Sequence, residues 1–264
     1  MTEKIEKYRD QKWRREENLR ISTSNEVERM VLDLGFCLTL TDARTPLPSV
    51  YIAVCGRRDV HTPKNVQKDE ECSIAWVLKD EVLRNGNVFY SKLVKGRAMF
   101  IAPNLLPYFK AVYGVKRTKE RQMLSINSRK VLGVLRREGE SSTADLRADT
   151  KISKRQDLTK ALEELQRCMK ILPYDVLYKP KFTYLWTLTE ERFPNEMATR
   201  ISRKVAVKEL ARTFLEMQGI TAPGDFARAF GIKRTEAGQA NQSLVEEGFA
   251  VRISNGVYAI SELA

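Results

Sequence analysis

The chain has 264 residues, and its 46 lysines and arginines outnumber its 34 aspartates and glutamates to give a formal net charge of +12. This length allows two or three small domains, and a charge of this sign and size favours a polyanion as partner. No apolar run reaches the roughly 18 residues of a spanning helix, and the first residues contain no apolar signal segment. The composition therefore predicts a cytoplasmic protein that does not span a membrane.

Cysteine and histidine usage argues against a metal centre or a disulfide framework. The cysteines Cys37, Cys55, Cys72 and Cys168 are far apart and form no C-x-x-C pair, which is typical of free thiols in a reducing compartment. His61 is the only histidine, so a zinc site that needs two imidazoles is excluded. We expect neither a bound metal nor a cofactor.

The first elements of the chain are short. Residues 3–20 form a charged, helix-prone arm. Thr23 and Glu26 have the spacing of a capping box, and they open an amphipathic helix that closes at Gly35. A strand-like run, FCLTL, follows, and residues 57–72 are polar and predict a loop. The stretch 87–102 fits either helix or strand. Further helices are predicted from Pro48 to Gly56, over 73–86 and over 105–114.

The segment from Tyr108 to Arg137 is the most cationic part of the chain, with nine lysines and arginines against Glu120 as the only acid. Two interpretations carry similar weight. The segment is a solvated linker that leads into a helix, or it lies over the phosphates of a nucleic acid. Under the second interpretation the contacting residues are Lys116, Arg117, Lys119 and Arg121.

A repeat occupies the second half of the chain. A set of residues recurs eighty positions later with identity or close similarity: Leu135, Gly139, Asp145, Leu146 and Ile152 become Leu215, Gly219, Asp225, Phe226 and Ile232. Each copy continues with a basic pair, Lys154-Arg155 or Lys233-Arg234, and ends in β-like sequence. A repeat of this length indicates duplicated structural units. The order helix, helix, basic helix and two strands predicts a winged helix-turn-helix in each copy.

In the first copy we expect Asn127 to cap the first helix and Ser153 to cap the third. The third helix buries a stripe that includes Leu158 and Leu165. Since the start of such a helix reaches the groove of DNA, the candidate DNA contacts are Lys154, Arg155 and Lys160. The strands that follow form the wing, and its tip carries Lys179, Pro180 and Lys181.

In the second copy the corresponding helix has the sequence KRTEAGQANQSLVEEG, and Asn255-Gly256 predicts a tight hairpin turn. Lys233 and Arg234 are candidates for phosphate contacts. An exposed polar set is expected to hydrogen-bond base edges, namely Gln239, Asn241 and Gln242. The alternative is a scaffold, because winged helices often bind only proteins.

The predicted fold is therefore mainly α with small β wings, in tandem winged helix-turn-helix units. We expect three units. Their boundaries are 1–126 for the arm with a divergent winged-helix-like domain, 127–194 for the first copy and 195–264 for the second. The expected partner is double-stranded DNA, which would associate the protein with the nucleoid.

The order of these segments resembles the winged-helix DNA glycosylases of the YcaQ/AlkZ type, which excise alkylated or crosslinked bases. The resemblance covers most of the chain and rests on five stretches: LGFCLTL, LPSVYIAVCGR, FYSKLVKGRAMFIAPNLLPYF, ALEELQRCMKI and SLVEEGFAVRI. It implies three tandem winged helices with a concave DNA-binding face.

The sequence departs from that family at two motifs. The family places Gln-x-Gln or Gln-x-Asp after a Leu-Gly pair to position the attacking water, but here Leu34-Gly35 is followed by FCLTLTD, which contains no glutamine. Where the family has a Trp-x-His-like segment, this chain has FYSK at 89–92. The resemblance is thus to a divergent, AlkZ-related branch.

Excision of an N-alkylated purine still remains chemically possible. The cationic base is a good leaving group, so the protein needs mainly to orient a water and to stabilise an oxocarbenium ion with a carboxylate. Asp42 is the first candidate by its place in the motif. Asp80 is the second, because it lies beside Lys79 and, by the resemblance, near Tyr90 and Lys92.

Each carboxylate also has a structural interpretation. Asp42 precedes Ala43-Arg44-Thr45-Pro46 and fits a turn residue, which we favour. Lys79 and Asp80 fit a solvated pair on an amphipathic helix. Three functional classes stay open. A repair glycosylase would release a modified base. A regulator would give a sequence-specific footprint without base release. A scaffold would show weak, salt-insensitive DNA binding.

Overall fold

A computed structural model describes residues 2–42 and 47–264. The first part contains α1 (Thr2–Trp13), α2 (Ser24–Leu34), β1 (Phe36–Leu38), α3 (Val50–Cys55), α4 (Glu70–Asn85), β2 (Phe89–Lys92), β3 (Ala98–Ile101), α5 (Leu106–Tyr113) and α6 (Glu120–Met123). The fold is mainly helical with small antiparallel sheets, as predicted. No helix in these residues has both the length and the apolar character needed to cross a membrane.

The two sequence repeats follow. The first comprises α7 (Ile126–Glu138), β4 (Glu140–Ser142), α8 (Thr143–Thr150), α9 (Arg155–Arg167), β5 (Ile171–Leu177) and β6 (Thr183–Leu188). Two short helices, α10 (Thr189–Arg192) and α11 (Pro194–Ala198), lead to the second. The second comprises α12 (Arg203–Gln218), β7 (Ile220–Thr221), α13 (Asp225–Phe230), α14 (Arg234–Glu246), β8 (Ala250–Ser254) and β9 (Val257–Ile260). The basic pairs begin equivalent helices, because α9 starts at Arg155 and α14 at Arg234.

Within the described residues, the three-stranded antiparallel sheets have orders β1-β3-β2, β4-β6-β5 and β7-β9-β8. In each sheet the last strand of the set lies in the middle, between the strand that follows the first helix and the first strand of the hairpin. The element order helix–strand–helix–helix–strand–strand is therefore found in the first part of the chain and again in each of the two repeats. The division into winged helices at residues 126 and 194 stays a prediction.

Local chemistry explains several element ends. The Thr23 hydroxyl and the Glu26 carboxylate form the expected capping box of α2, and Gly35 ends that helix with a φ of 82° that favours glycine. The alternative of a helix over 87–102 is wrong, because β2 and β3 pair there as a hairpin. The β8–β9 hairpin turns at Asn255-Gly256 as predicted.

Several predicted boundaries are corrected. Ser125, not Asn127, caps α7, because its hydroxyl accepts the Ser128 amide at 3.2 Å. Ser153 does not cap α9; Lys154 is the cap residue, and it makes no side-chain cap hydrogen bond. Helix α3 begins at Val50 with Ser49 as its N-cap, so Pro48 lies before the helix, and α4 starts at Glu70, inside the predicted loop.

The first part of the chain and the second repeat share one apolar core, which also includes residues of β5, whereas the rest of the first repeat has a separate core. At the centre of the shared core, the Phe230 ring lies 5.4 Å from Phe36 and 5.8 Å from Phe109, centroid to centroid. Tilted and edge-to-face rings of this kind add stability beyond their buried area. The two ends of the chain therefore fold against each other.

The N-terminal arm is docked on α12. The buried Trp13 indole donates to the Met217 carbonyl at 2.7 Å, and the Arg9 guanidinium donates to the Gln218 carbonyl at 2.9 Å. The last carbonyls of a helix have no intrahelical donor, and they carry the negative end of its dipole. The cationic arm thus caps the C-terminal end of α12.

The first repeat is held against α4 by a buried ionic network. Lys79 is completely buried, and its ammonium lies 2.6 Å from Asp80 Oδ1 and donates to the Tyr184 hydroxyl at 2.9 Å. The Tyr178 hydroxyl donates to Asp80 Oδ2, and at the exposed edge of this contact Arg84 pairs with Asp175 at 2.8 Å. The expectation of a solvated Lys79–Asp80 pair is wrong, because the β5–β6 hairpin covers this part of α4.

This burial predicts a large effect of neutralising Lys79. Lys79→Met should lower the free energy of unfolding, measured by urea denaturation, by about 3–5 kcal/mol, since Asp80 is left buried without its cation. Lys92→Met is the matched control, because the Lys92–Glu163 pair is half-exposed with atoms 3.5 Å apart. The control should lose about 0–1 kcal/mol. Equal losses in the two variants would contradict a structural role for the buried pair.

Candidate nucleic-acid interface

A cleft of about 670 Å³ lies between the first repeat and the first part of the chain. Its walls are the start of α8, one face of α9 along nearly its whole length, the β5–β6 hairpin and β2. Strand β2 is anchored there because the Lys92 amide donates to Gln166 Oε1 of α9 at 3.1 Å. The cleft therefore depends on packing between two parts of the chain that are distant in sequence.

Cations outnumber acids along this cleft. The basic lining residues are Lys92, Arg147, Arg155, Lys179 and Lys181. The acidic ones are Asp145, whose backbone amide is capped by Ser142, and Glu163, which pairs with Lys92. Arg155 opens α9, and the two wing lysines stand on the loop between β5 and β6. The excess of positive charge suits a phosphate backbone.

Aromatic side chains form one wall of the cleft. Phe182, Tyr184 and Trp186 are two residues apart, so they face the same side of the strand. Neighbouring rings meet edge-to-face, with centroids 5.2 Å apart for Phe182–Tyr184 and 5.6 Å apart for Tyr184–Trp186. The Trp186 indole donates to Thr143 Oγ1 at 2.8 Å, which fixes its orientation.

Two tyrosines beside this wall remain neutral phenols. Burial raises the pKa of Tyr90 far above its usual value, and the neighbouring Tyr184 adds to the effect. The hydrogen bond to Asp80 raises the pKa of Tyr178 to about 12, and partial burial contributes. At neutral pH these hydroxyls therefore donate and accept hydrogen bonds without carrying charge.

The candidate catalytic carboxylates lie outside the lining of the cleft. Asp42 is half-buried and forms an ion pair with Arg97, next to β3. The segment 43–46, which would complete the predicted turn, lies outside the described residues. Asp80 is buried between Lys79 and Tyr178. Both carboxylates thus have a cation within contact distance, and their catalytic roles remain predictions.

Of the predicted contacts on α9, Lys154, Arg155 and Lys160 are all exposed. Only Arg155 lines the cleft, together with Lys179 and Lys181 of the wing. Lys160 faces a second groove that includes Arg167, on another side of the helix. The structure therefore brings part of the predicted set together and separates the rest.

The cationic segment divides into two groups. Lys110 donates to the Met197 and Thr199 carbonyls, and Arg136 pairs with Glu120 at 2.8 Å, so these two cations have structural contacts. All four predicted DNA contacts of this segment are exposed on the turn and short helix before α7: Lys116, Arg117, Lys119 and Arg121.

In the second repeat, Lys233 and Arg234 are exposed at the start of α14, as are Gln239 and Gln242 further along. The expectation that Asn241 is exposed is wrong: only 8% of its surface is accessible. It lies one helical turn after Ala237 and therefore on the buried face. Its amide is not available to read bases.

The sequence did not predict that Arg147 and the aromatic wall belong to this interface. The spacing of Phe182, Tyr184 and Trp186, at every second position, is sufficient to predict a strand with aromatic side chains on one face. Arg147 offers no such signal, since it reaches the cleft only through the packing of α8, where it donates to the Ser153 carbonyl at 2.5 Å.

Metal-binding and redox groups contribute little to this region. Among the described residues, no group of three or more His, Cys, Asp or Glu side chains is placed to hold a metal ion. The four cysteines are free thiols, and burial raises the pKa of Cys37 to about 12. A thiol of this kind is protonated and unreactive at neutral pH.

Comparisons with known proteins agree with this architecture. A family model described as AlkZ related matches residues 21–231. The solved structure of the Streptomyces sahachiroi DNA glycosylase AlkZ superposes with a TM-score of 0.59 at 13% identity, over 98% of this chain and 69% of that one. At this identity the likeness shows the fold. No curated protein matches in sequence. Because the family model spans most of the molecule, the chain belongs to the AlkZ-related family.

Proposed function

We propose that this protein is a glycosylase-like DNA-repair protein that binds duplex DNA through the cleft. The observation that carries the proposal is the meeting of Arg155, at the start of α9, with Lys179 and Lys181 of the wing. In helix-turn-helix proteins the first turn of this helix enters the major groove. Membership of the AlkZ-related family and the AlkZ-like fold support repair as the setting. Binding of this kind would place the protein at the nucleoid.

The glycosylase reaction requires a fixed negative charge near the sugar. Asp42 is the first candidate and Asp80 the second, since oxocarbenium stabilisation depends on preorganised electrostatics. A cation in contact with a carboxylate weakens the field that the carboxylate exerts on a third group. Arg97 has this effect on Asp42, and Lys79 has it on Asp80. Separation of Asp42 from Arg97 on DNA binding would restore the full field of the carboxylate at the developing oxocarbenium ion.

The same ion pairs favour a second candidate function, a protein that binds modified DNA without cleaving it. Both candidate carboxylates are compensated by cations, and the chain lacks the glutamines that position water in the YcaQ/AlkZ type. Such a protein would bind the same duplexes through the same cleft. Base release separates the two functions.

Binding to duplex DNA should depend strongly on salt. If roughly five phosphates are neutralised, the logarithm of the association constant should fall against the logarithm of salt concentration with a slope of about −4 to −5. Lys179→Gln/Lys181→Gln should make this slope shallower by about 2, because each lysine that is removed leaves one phosphate with its counterions. Fluorescence anisotropy with a labelled duplex measures both.

The matched control is Lys64→Gln/Lys68→Gln, which makes the same charge change on the exposed loop before α4. This variant should keep the slope of the unmodified protein. A slope near zero in the unmodified protein would contradict DNA binding and favour a protein-interaction scaffold.

Base release should be detectable as abasic sites after incubation with duplexes that contain 7-methylguanine or an interstrand crosslink. Asp42→Asn removes the charge but keeps the size, and we expect it to lower the rate by about 10²–10³. Asp80→Asn is the parallel test of the second candidate. Unchanged release in both variants would place the chemistry elsewhere, and no release by the unmodified protein would favour the non-catalytic function.

A further inference from the structure

Two aromatic rings are exposed at the tip of the wing, and binding to the phosphate backbone of a duplex does not require them. Tyr178 is 55% accessible and Phe182 is 47% accessible, although both are large apolar side chains. Exposed apolar groups that lie together at a charged cleft mark a binding surface. Phosphate contacts use cations and hydrogen-bond donors, so they leave these rings unexplained.

The rings are held in place before any ligand binds. The Tyr178 and Phe182 centroids are 5.7 Å apart in an edge-to-face arrangement, and Phe182 continues onto Tyr184. Tyr178 is tied to Asp80 by its hydroxyl, and Tyr184 accepts from the buried Lys79. The tip is therefore a fixed platform rather than a loop that must be ordered on binding, which reduces the entropic cost of association.

Charge and ring alternate on this tip. Lys179 and Lys181 lie between Tyr178 and Phe182 in the sequence YKPKF, and Arg155 lines the same cleft. Aromatic faces beside a cationic track are the two parts of a site for single-stranded nucleic acid. The bases stack on the rings while the cations follow the phosphates. A paired base in a duplex has no free face to offer.

We infer that the wing tip of the first repeat is a stacking platform for unpaired nucleobases, with Phe182 as its central ring. The ligand is a single-stranded or locally unpaired stretch of DNA next to duplex, and the cleft of about 670 Å³ has room for an extruded base beside the rings. The inference rests on the proposed binding of DNA through this cleft. It adds that the protein selects sites where pairing is disrupted.

The test compares a fully paired duplex with the same sequence carrying a short unpaired bubble, each measured by fluorescence anisotropy at fixed salt. The unmodified protein should bind the bubble on the order of tenfold more tightly than the duplex, the scale of one base–aromatic stacking contact. Phe182→Leu keeps an apolar side chain without the ring and should abolish this preference, so that the variant binds the bubble and the duplex with equal affinity. Phe182→Tyr keeps the ring and should retain the preference.

Tyr174→Leu is the matched control, because it removes a ring from the same hairpin outside the cleft, where the Tyr174 hydroxyl donates to Glu140. It should keep the preference for the bubble. Equal affinities of the unmodified protein for both DNAs would overturn the stacking platform and leave duplex binding intact. Loss of the preference in Tyr174→Leu as in Phe182→Leu would also overturn it. Salt-insensitive binding to both DNAs would overturn the proposed function together with this inference.

Discussion

The site depends most on the ion pair and hydrogen bond that the buried Lys79 ammonium makes with Asp80 and Tyr184. Lys79 stands on α4, yet its partners include Tyr184 of the wing, and its neighbour Asp80 holds Tyr178 at the wing tip. Rings surround the charge, with the Trp76 centroid 4.4 Å away. A buried cation is costly unless every contact is satisfied, so this network tolerates few positions of the hairpin. It therefore sets where the aromatic wall and the wing lysines lie.

The rest of the molecule forms the frame, that is, the shared core and its surface, against which the first repeat packs. The arm and the ring cluster around Phe230 join the two ends of the chain into one core, whereas the first repeat keeps its own core and meets the frame at α4 and β2. The cleft lies at this junction. The proposed affinity for DNA therefore depends on how the first repeat packs against the rest of the molecule. Mutations in this junction should weaken binding by displacing the residues that contact DNA, not by removing them.

The duplicated units have diverged in ways that bear on function. The wing of the first repeat has a long loop with cations and rings, whereas the second turns tightly at Asn255-Gly256. In the second repeat Arg203 pairs with Glu236 at 2.7 Å on α14, and Asn241 is buried. A shared element order thus leaves very different surfaces. The proposed recognition surface lies in the first repeat, whereas Lys233, Arg234, Gln239 and Gln242 of the second repeat remain predicted DNA contacts.

The sequence by itself determined the helical character, the repeat, the capping box at Thr23 and the tight turn at Gly256, because each depends on neighbours in the chain. It also predicted the cationic helix start and wing tip. Tertiary structure alone decided that Lys79 and Asp80 are buried, that Asn241 faces inward, and that Lys92 and Arg147 join Arg155 in one cleft. Burial and proximity arise when distant segments pack, and local spacing contains no record of which segment will cover a given face.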